Sequence, residues 1–192
     1  MSTSGSTTAS AAVRASSALR RRWPVAVGLL GAAFVAIFSP NRETITISLL
    51  VALTCYLSAA ALGMRWVAWA AIPVVSALLV AGVLADIEPR YVLGGTSVVL
   101  VVIGLLRATS RTALAAQALA MVAYGGIALV ALTLGPLAGA VLASLALMAH
   151  AVWDVIHYRR NAVVPRSLAE ACIFFDVPLG LAAIALALAG LS

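Results

Sequence analysis

The chain has 192 residues, of which 64% are hydrophobic and only 9% charged. Soluble domains carry roughly 25% charged residues, and so few charges cannot cover a water-facing surface, so a soluble globular protein is excluded and lipid is the solvent that fits. The net charge is +6 and all twelve basic residues are Arg. They sit in short gaps between apolar runs, not clustered with aromatics on a polar face, which excludes a nucleic-acid partner.

Residues 1–22 are rich in Ser, Thr and Ala, lack acidic residues and end in Arg20-Arg21-Arg22. This composition predicts a disordered tail. A transit peptide is disfavoured because the tail runs straight into an apolar segment. A cleaved signal peptide is disfavoured because that segment ends in Phe38-Ser39-Pro40, with no small-x-small pattern. From there the chain reads as one transmembrane domain, 23–192, of about seven spans: 23–39, 44–61, 66–85, 91–106, 112–134, 136–157 and 168–191. Each approaches the ~20 apolar residues that cross ~30 Å of hydrocarbon. Pro24 falls in the first turn of span one, where a missing N–H costs nothing. Pro73 predicts a kink in span three. Gly28 with Gly31, and Gly135 with Gly139, have the spacing that lets helices approach closely in lipid. The fold class is therefore all-α, a polytopic transmembrane helical bundle.

Charge tests the hydropathy independently. With the N-terminus inside and the C-terminus outside, the inner segments hold Arg14, Arg20, Arg21, Arg22, Arg65, Arg107, Arg111, Arg159, Arg160 and Arg166, and the outer ones only Arg42 and Arg90. Ten against two is the bias that the positive-inside rule expects, and it indicates a multi-pass protein of the inner cell membrane. Glu43, Asp86 and Glu88 fall in outer turns. The weakest link is the turn between spans five and six, read as only Gly135-Pro136. If those spans were one bent element, the arginines after span six would face outward.

The remaining acids, Asp154, Glu170 and Asp176, lie in the last two spans with both histidines, His150 and His157. His150, Asp154 and His157 are spaced four and three apart and share one helix face. Ser167 and Glu170 have the spacing of a capping box that opens span seven. Cys172 and Asp176 share a face one turn apart. At ~1.5 Å per residue, Asp154 and His150 on span six match the levels of Cys172 and Asp176 on span seven, with Gln117 of span five nearby. This predicts a polar cluster about a third of the way into the bilayer from the cytoplasmic side. A mid-span Asp costs roughly 2.5–3.5 kcal/mol on insertion scales, so Asp176 needs a reason. Pro178 follows it and predicts a bend.

Several chemistries are excluded. Bis-His haem ligation fails because the two histidines lie on one helix ~10 Å apart. A seven-span zinc hydrolase of the ceramidase and adiponectin-receptor kind needs a third histidine. A rhomboid-like Ser97–His150 pair fails on depth. What remains is a His150/Asp154/Asp176 set, with His157, Cys172 and Gln117 in secondary places. It fits one divalent metal ion, or a metal-free acid–base pair or proton relay. Arg159, Arg160 and Arg166 suit anionic lipid headgroups, although positive-inside bias alone accounts for them. Cys55 and Cys172 form neither a disulfide framework nor a paired zinc motif.

The segment His150-Ala-Val-Trp153-Asp154-Val-Ile-His157 resembles that of small uncharacterised bacterial membrane proteins with a His-x-x-Trp-Asp-x-x-His pattern. The resemblance covers the last quarter of the chain and implies no activity. Three readings stay open: an enzyme acting on a lipid or other apolar substrate, a proton-coupled small-molecule transporter, and a structural or assembly protein whose cluster only fixes helix pairing.

Overall fold

The structure is a computed structural model that describes residues 22–107 and 110–191. The expected tail lies outside the described residues, apart from Arg22. Among the described residues there are seven helices and no strand. They are α1 (Trp23–Phe38), α2 (Arg42–Leu62), α3 (Val67–Leu84), α4 (Pro89–Leu106), α5 (Arg111–Ala131), α6 (Pro136–Arg160) and α7 (Arg166–Leu188). The six from α2 to α7 are long and apolar enough to cross a membrane. α1 has 16 residues, or ~24 Å of rise. Its start lies beside α3, with the Trp23 and Trp69 rings 5.2 Å apart, and its end joins α2 at the opposite end of the bundle. It therefore also runs the bundle's length.

Local signals set the boundaries. Asn41 caps α2 by accepting from the Thr44 amide at 2.9 Å, and Ser110 caps α5 at the Ala113 amide, each satisfying an amide with no intrahelical partner. Gly63, at φ 68°, ends α2 in the left-handed conformation that glycine adopts without penalty. Pro89 and Pro136 open α4 and α6, where proline's fixed φ suits the first turn. The expected capping box does not form. α7 starts at Arg166 after extended Pro165, so Ser167 lies inside the first turn, and its hydroxyl accepts from the Trp69 indole N–H at 3.0 Å. α3 and α7 remain helical through Pro73 and Pro178.

α2 is the central helix: 72% of its apolar stretch is buried, against 17% for α4. α6 and α7 form the most extensive pair, and α1 lies along α7 with no comparable contact to α2. Gly28 makes that α1–α7 crossing possible, because a Cβ there would collide with the Ala171 carbonyl. Gly139 does the same for α6 against the Ala131 carbonyl, whereas Gly135 has open space around it. The turn between α5 and α6 is real. α5 ends at Ala131, and the Arg42 guanidinium donates to the Leu134 carbonyl, which places this turn at the same end as the α1–α2 turn. At the other end Arg65 donates to Asn161 Oδ1 and the Val164 carbonyl, joining the α2–α3 and α6–α7 turns. That end carries Arg22, Arg65, Arg107, Arg111, Arg159, Arg160 and Arg166 and is called the Arg-rich end below. Large apolar side chains such as Leu30 (71% exposed) and Leu84 (82%) cover the outside of the bundle, as lipid-facing surface requires.

Candidate functional site

Four helices bring polar side chains to the middle of the bundle. α6 supplies His150, Trp153, Asp154 and His157, α7 supplies Asp176, α2 supplies Tyr56, and α5 supplies Gln117 and Tyr124. His150, Asp154 and Asp176 are each 0% exposed. The His150 Nδ1–H donates to Asp176 Oδ2 at 2.9 Å and lies 3.4 Å from Asp154 Oδ2. The Tyr56 hydroxyl donates to Asp154 Oδ1 at 2.5 Å. The expected pairing of His150 with Asp176 across α6 and α7 is therefore present. α6 runs three residues beyond His157, to Arg160, and α7 starts at Arg166. His150 and Asp176 thus each lie ten residues, ~15 Å, and Asp154 six residues, ~9 Å, from the Arg-rich ends of their helices.

His157 and Gln117 belong to a separate network. A backbone carbonyl only accepts, so the His157 Nδ1–H donates to the Trp153 carbonyl at 2.8 Å. That tautomer leaves Nε2 as an acceptor for the Gln117 amide N–H at 3.0 Å, and Gln117 Oε1 accepts from the Trp153 indole N–H at 3.0 Å. The polar atoms that join these three side chains have partners with His157 neutral. The two networks meet at Tyr56, whose ring stands edge-on to His157 at 5.0 Å and to His150 at 5.6 Å. Tyr124, in the π-helical segment Met121–Gly125 that interrupts α5, also stands edge-on to His150 at 5.6 Å.

The first network is incomplete where the second is closed. His150 Nε2, Asp154 Oδ2 and Asp176 Oδ1 are buried without a hydrogen-bond partner among the described residues. An unpaired buried polar atom costs about 1–3 kcal/mol, more when charged. One potential ligand atom from each of the three residues lies within 4.8 Å of the others, so His150, Asp154 and Asp176 are the side chains among the described residues that could hold a metal ion. Cys172 is not one of the three converging residues, although it borders the cluster. It lines an apolar cavity with Gly28, Ala52 and Cys55, and it packs on the cluster of buried side chains around Tyr56. Ser97 donates to the Leu93 carbonyl and lines a different cavity with α2 and α5. Arg159 and Arg160 are exposed, and Arg166 donates to the Tyr158 carbonyl.

Sequence reasoning missed Tyr56 and Tyr124. The available signal was a phenol in an apolar span, because a buried tyrosine hydroxyl needs a partner. Tyr56 also lies six residues from the end of α2, the same level as Asp154 on α6.

Fold and site together define a multi-pass helical membrane protein with a buried His/Asp group. No protein-family model, curated protein or solved structure matches the chain.

Proposed function

We propose that this protein sits in the inner cell membrane with its Arg-rich end in the cytoplasm, and that His150, Asp154 and Asp176 bind one divalent transition-metal ion for acid–base chemistry on an apolar substrate. The observation that carries this reading is the convergence of one ligand atom from each of three fully buried residues to within 4.8 Å of one another, with one carboxylate oxygen on each aspartate left without a hydrogen-bond partner. A divalent cation between the imidazole and the two carboxylates would take the place of the His150 Nδ1 proton and engage both acids at once. With a neutral imidazole and two carboxylates it also brings the group to zero net charge, where net charge in a low-dielectric core is costly. One nitrogen and two carboxylate ligands suit zinc, manganese or ferrous iron. Such an ion supplies Lewis acidity and lowers the pKa of a bound water. Tyr56, by donating to Asp154, orients that ligand from behind. Arg159 and Arg160 are placed to meet anionic headgroups at the cytoplasmic face.

The test is metal analysis of the purified full chain beside His150→Ala and Asp154→Asn. Near-stoichiometric metal in the wild type and its loss in both variants is expected; a metal-free wild type that takes up none on titration overturns the reading.

A second reading is a proton-coupled carrier. It is favoured by the column of polar groups that runs from His157, near the Arg-rich end, through Tyr56 and Asp154 to His150 and Asp176 at mid-bundle. Intramembrane carboxylates and imidazoles in such a column are the parts of proton relays. Uptake into vesicles driven by a pH gradient and abolished by Asp176→Asn would favour it; uptake that survives the substitution would count against it.

A further inference from the structure

Between α1 and α7 on one side and α2 and α3 on the other lies an apolar cavity of about 410 Å³. It exists because α1 is drawn to α7 at Gly28 and so stands away from α2, although only Ser39, Pro40 and Asn41 join the two helices. The walls come from four helices, with Gly28, Ala52, Cys55, Cys172 and Phe175 among them. On α3 the lining runs from Trp69 to Leu79, ~15 Å along the helix axis. The cavity is therefore an elongated slot roughly parallel to the helices.

Its chemistry excludes water as the natural occupant. A buried water needs two to four polar partners; the side-chain polar groups lining the slot are the hydroxyls of Ser48 and Ser76, the weakly polar thiols of Cys55 and Cys172, and the Trp69 indole, whose N–H is already committed to Ser167. The volume falls in the ~300–1,000 Å³ range of small-molecule sites. At the Arg-rich end the slot meets Trp69, which the Trp23 ring approaches at 5.2 Å, and exposed Arg22 immediately precedes Trp23. A long apolar channel with an interfacial tryptophan pair and a cation at its mouth is complementary in shape and charge to an anionic lipid.

We propose that this slot holds one acyl chain of an anionic phospholipid from the surrounding bilayer, with its phosphate at Arg22. Cys172 is common to the slot wall and to the side chains packed around Tyr56, so a bound chain lies one side chain away from Tyr56, the partner of Asp154. That the lipid is also the substrate rests on the function proposed above; the binding of the chain does not.

The test uses the full-length protein, delipidated in detergent and reconstituted in phosphatidylcholine vesicles that contain phosphatidylglycerol with a diazirine in one acyl chain. After photolysis, cross-links are mapped by mass spectrometry. Labelling is expected at Cys55, Cys172 and Phe175, and it falls roughly tenfold, the equivalent of about 1.4 kcal/mol of binding, when Ala52→Trp fills the slot. Leu30 and Leu84, on the outside, stay labelled. Should Ala52→Trp not fold, Ser76→Phe blocks the slot from its exposed edge. Diazirine-phosphatidylcholine labels the slot less than the anionic lipid, and Arg22→Gln removes that difference. Slot residues labelled no more than Leu30 and Leu84, or labelling indifferent to both blocking variants, overturns the chain site. Equal labelling by the two headgroups overturns the role of Arg22. Metal content measured on the same samples separates this result from the metal reading, because Ala52→Trp leaves His150, Asp154 and Asp176 untouched.

Discussion

Tyr56→Phe tests the assembly of the site with one atom. The substitution keeps the ring that stands edge-on to both histidines and removes the hydroxyl that donates to Asp154 Oδ1 at 2.5 Å. Asp154 Oδ2 already lacks a partner, so the variant leaves a fully buried carboxyl with neither oxygen hydrogen-bonded. The loss of one donor to a buried acceptor costs about 1–3 kcal/mol. For a chain of this size that lowers the melting temperature by about 2–4 °C per kcal/mol. Loss of an outer-shell partner of a metal ligand typically weakens affinity about 10–100-fold. The assays are thermal unfolding followed by helical circular dichroism, and titration of the metal-stripped protein with zinc or manganese. An unchanged melting temperature together with unchanged metal affinity would refute the reasoning, because it would mean that Tyr56 carries no part of Asp154's burden. A lower melting temperature with unchanged affinity would keep the hydrogen bond and remove its link to metal binding.

Other outcomes follow from the same geometry. Gln117→Leu strands His157 Nε2 and the Trp153 indole N–H, so it lowers stability by about 1–3 kcal/mol per stranded group, read by chemical denaturation, while metal affinity stays within about threefold because the first network is intact. Asp176→Asn keeps an acceptor for His150 Nδ1 but removes a charge; the variant folds, and metal analysis shows the ion lost. Gly28→Val drives a side chain into the Ala171 carbonyl and detaches α1, which protease protection at Trp23 detects, whereas Gly94→Ala, with no atom within 4 Å of the added Cβ, is neutral or stabilising by up to ~1 kcal/mol. Lowering pH weakens metal binding in the wild type, because protons compete for carboxylate and imidazole ligands; pH-independent affinity would contradict the assigned ligands.

Much of this architecture is legible in the residues, because lipid makes the constraints blunt. Span positions follow from runs of about 20 apolar residues, and the ends of α1, α4 and α6 fall within three residues of the hydropathy reading. The i, i+4 spacing of His150 and Asp154 and the antiparallel pairing of α6 with α7 were enough to bring Asp176 to His150. What the residues did not reveal was which polar groups would close on one another. Gln117 matches the level of Asp154 and His157 shares its helix face, yet the Trp153 indole and its own carbonyl draw them into a second, neutral ring of hydrogen bonds. Tyr56 comes from a helix 98 positions away in sequence, and only the central place of α2 delivers it. Ser167 fits a capping pattern locally, but Trp69, a tertiary neighbour, takes its hydroxyl. Propensity and spacing fix the local geometry; competition among long-range partners decides which option is used.

The attachment of α1 to α7 has a consequence for biogenesis. Of the described helices, the earliest in chain order packs against the latest, and that same late helix brings Asp176 to His150. During synthesis the Gly28 face of α1 waits in the bilayer until every intervening span has been inserted, and the buried acids of α6 wait with it. Packing of the periphery and assembly of the centre are therefore completed by one final event, the docking of α7, and a ribosome that stalls before it leaves both undone.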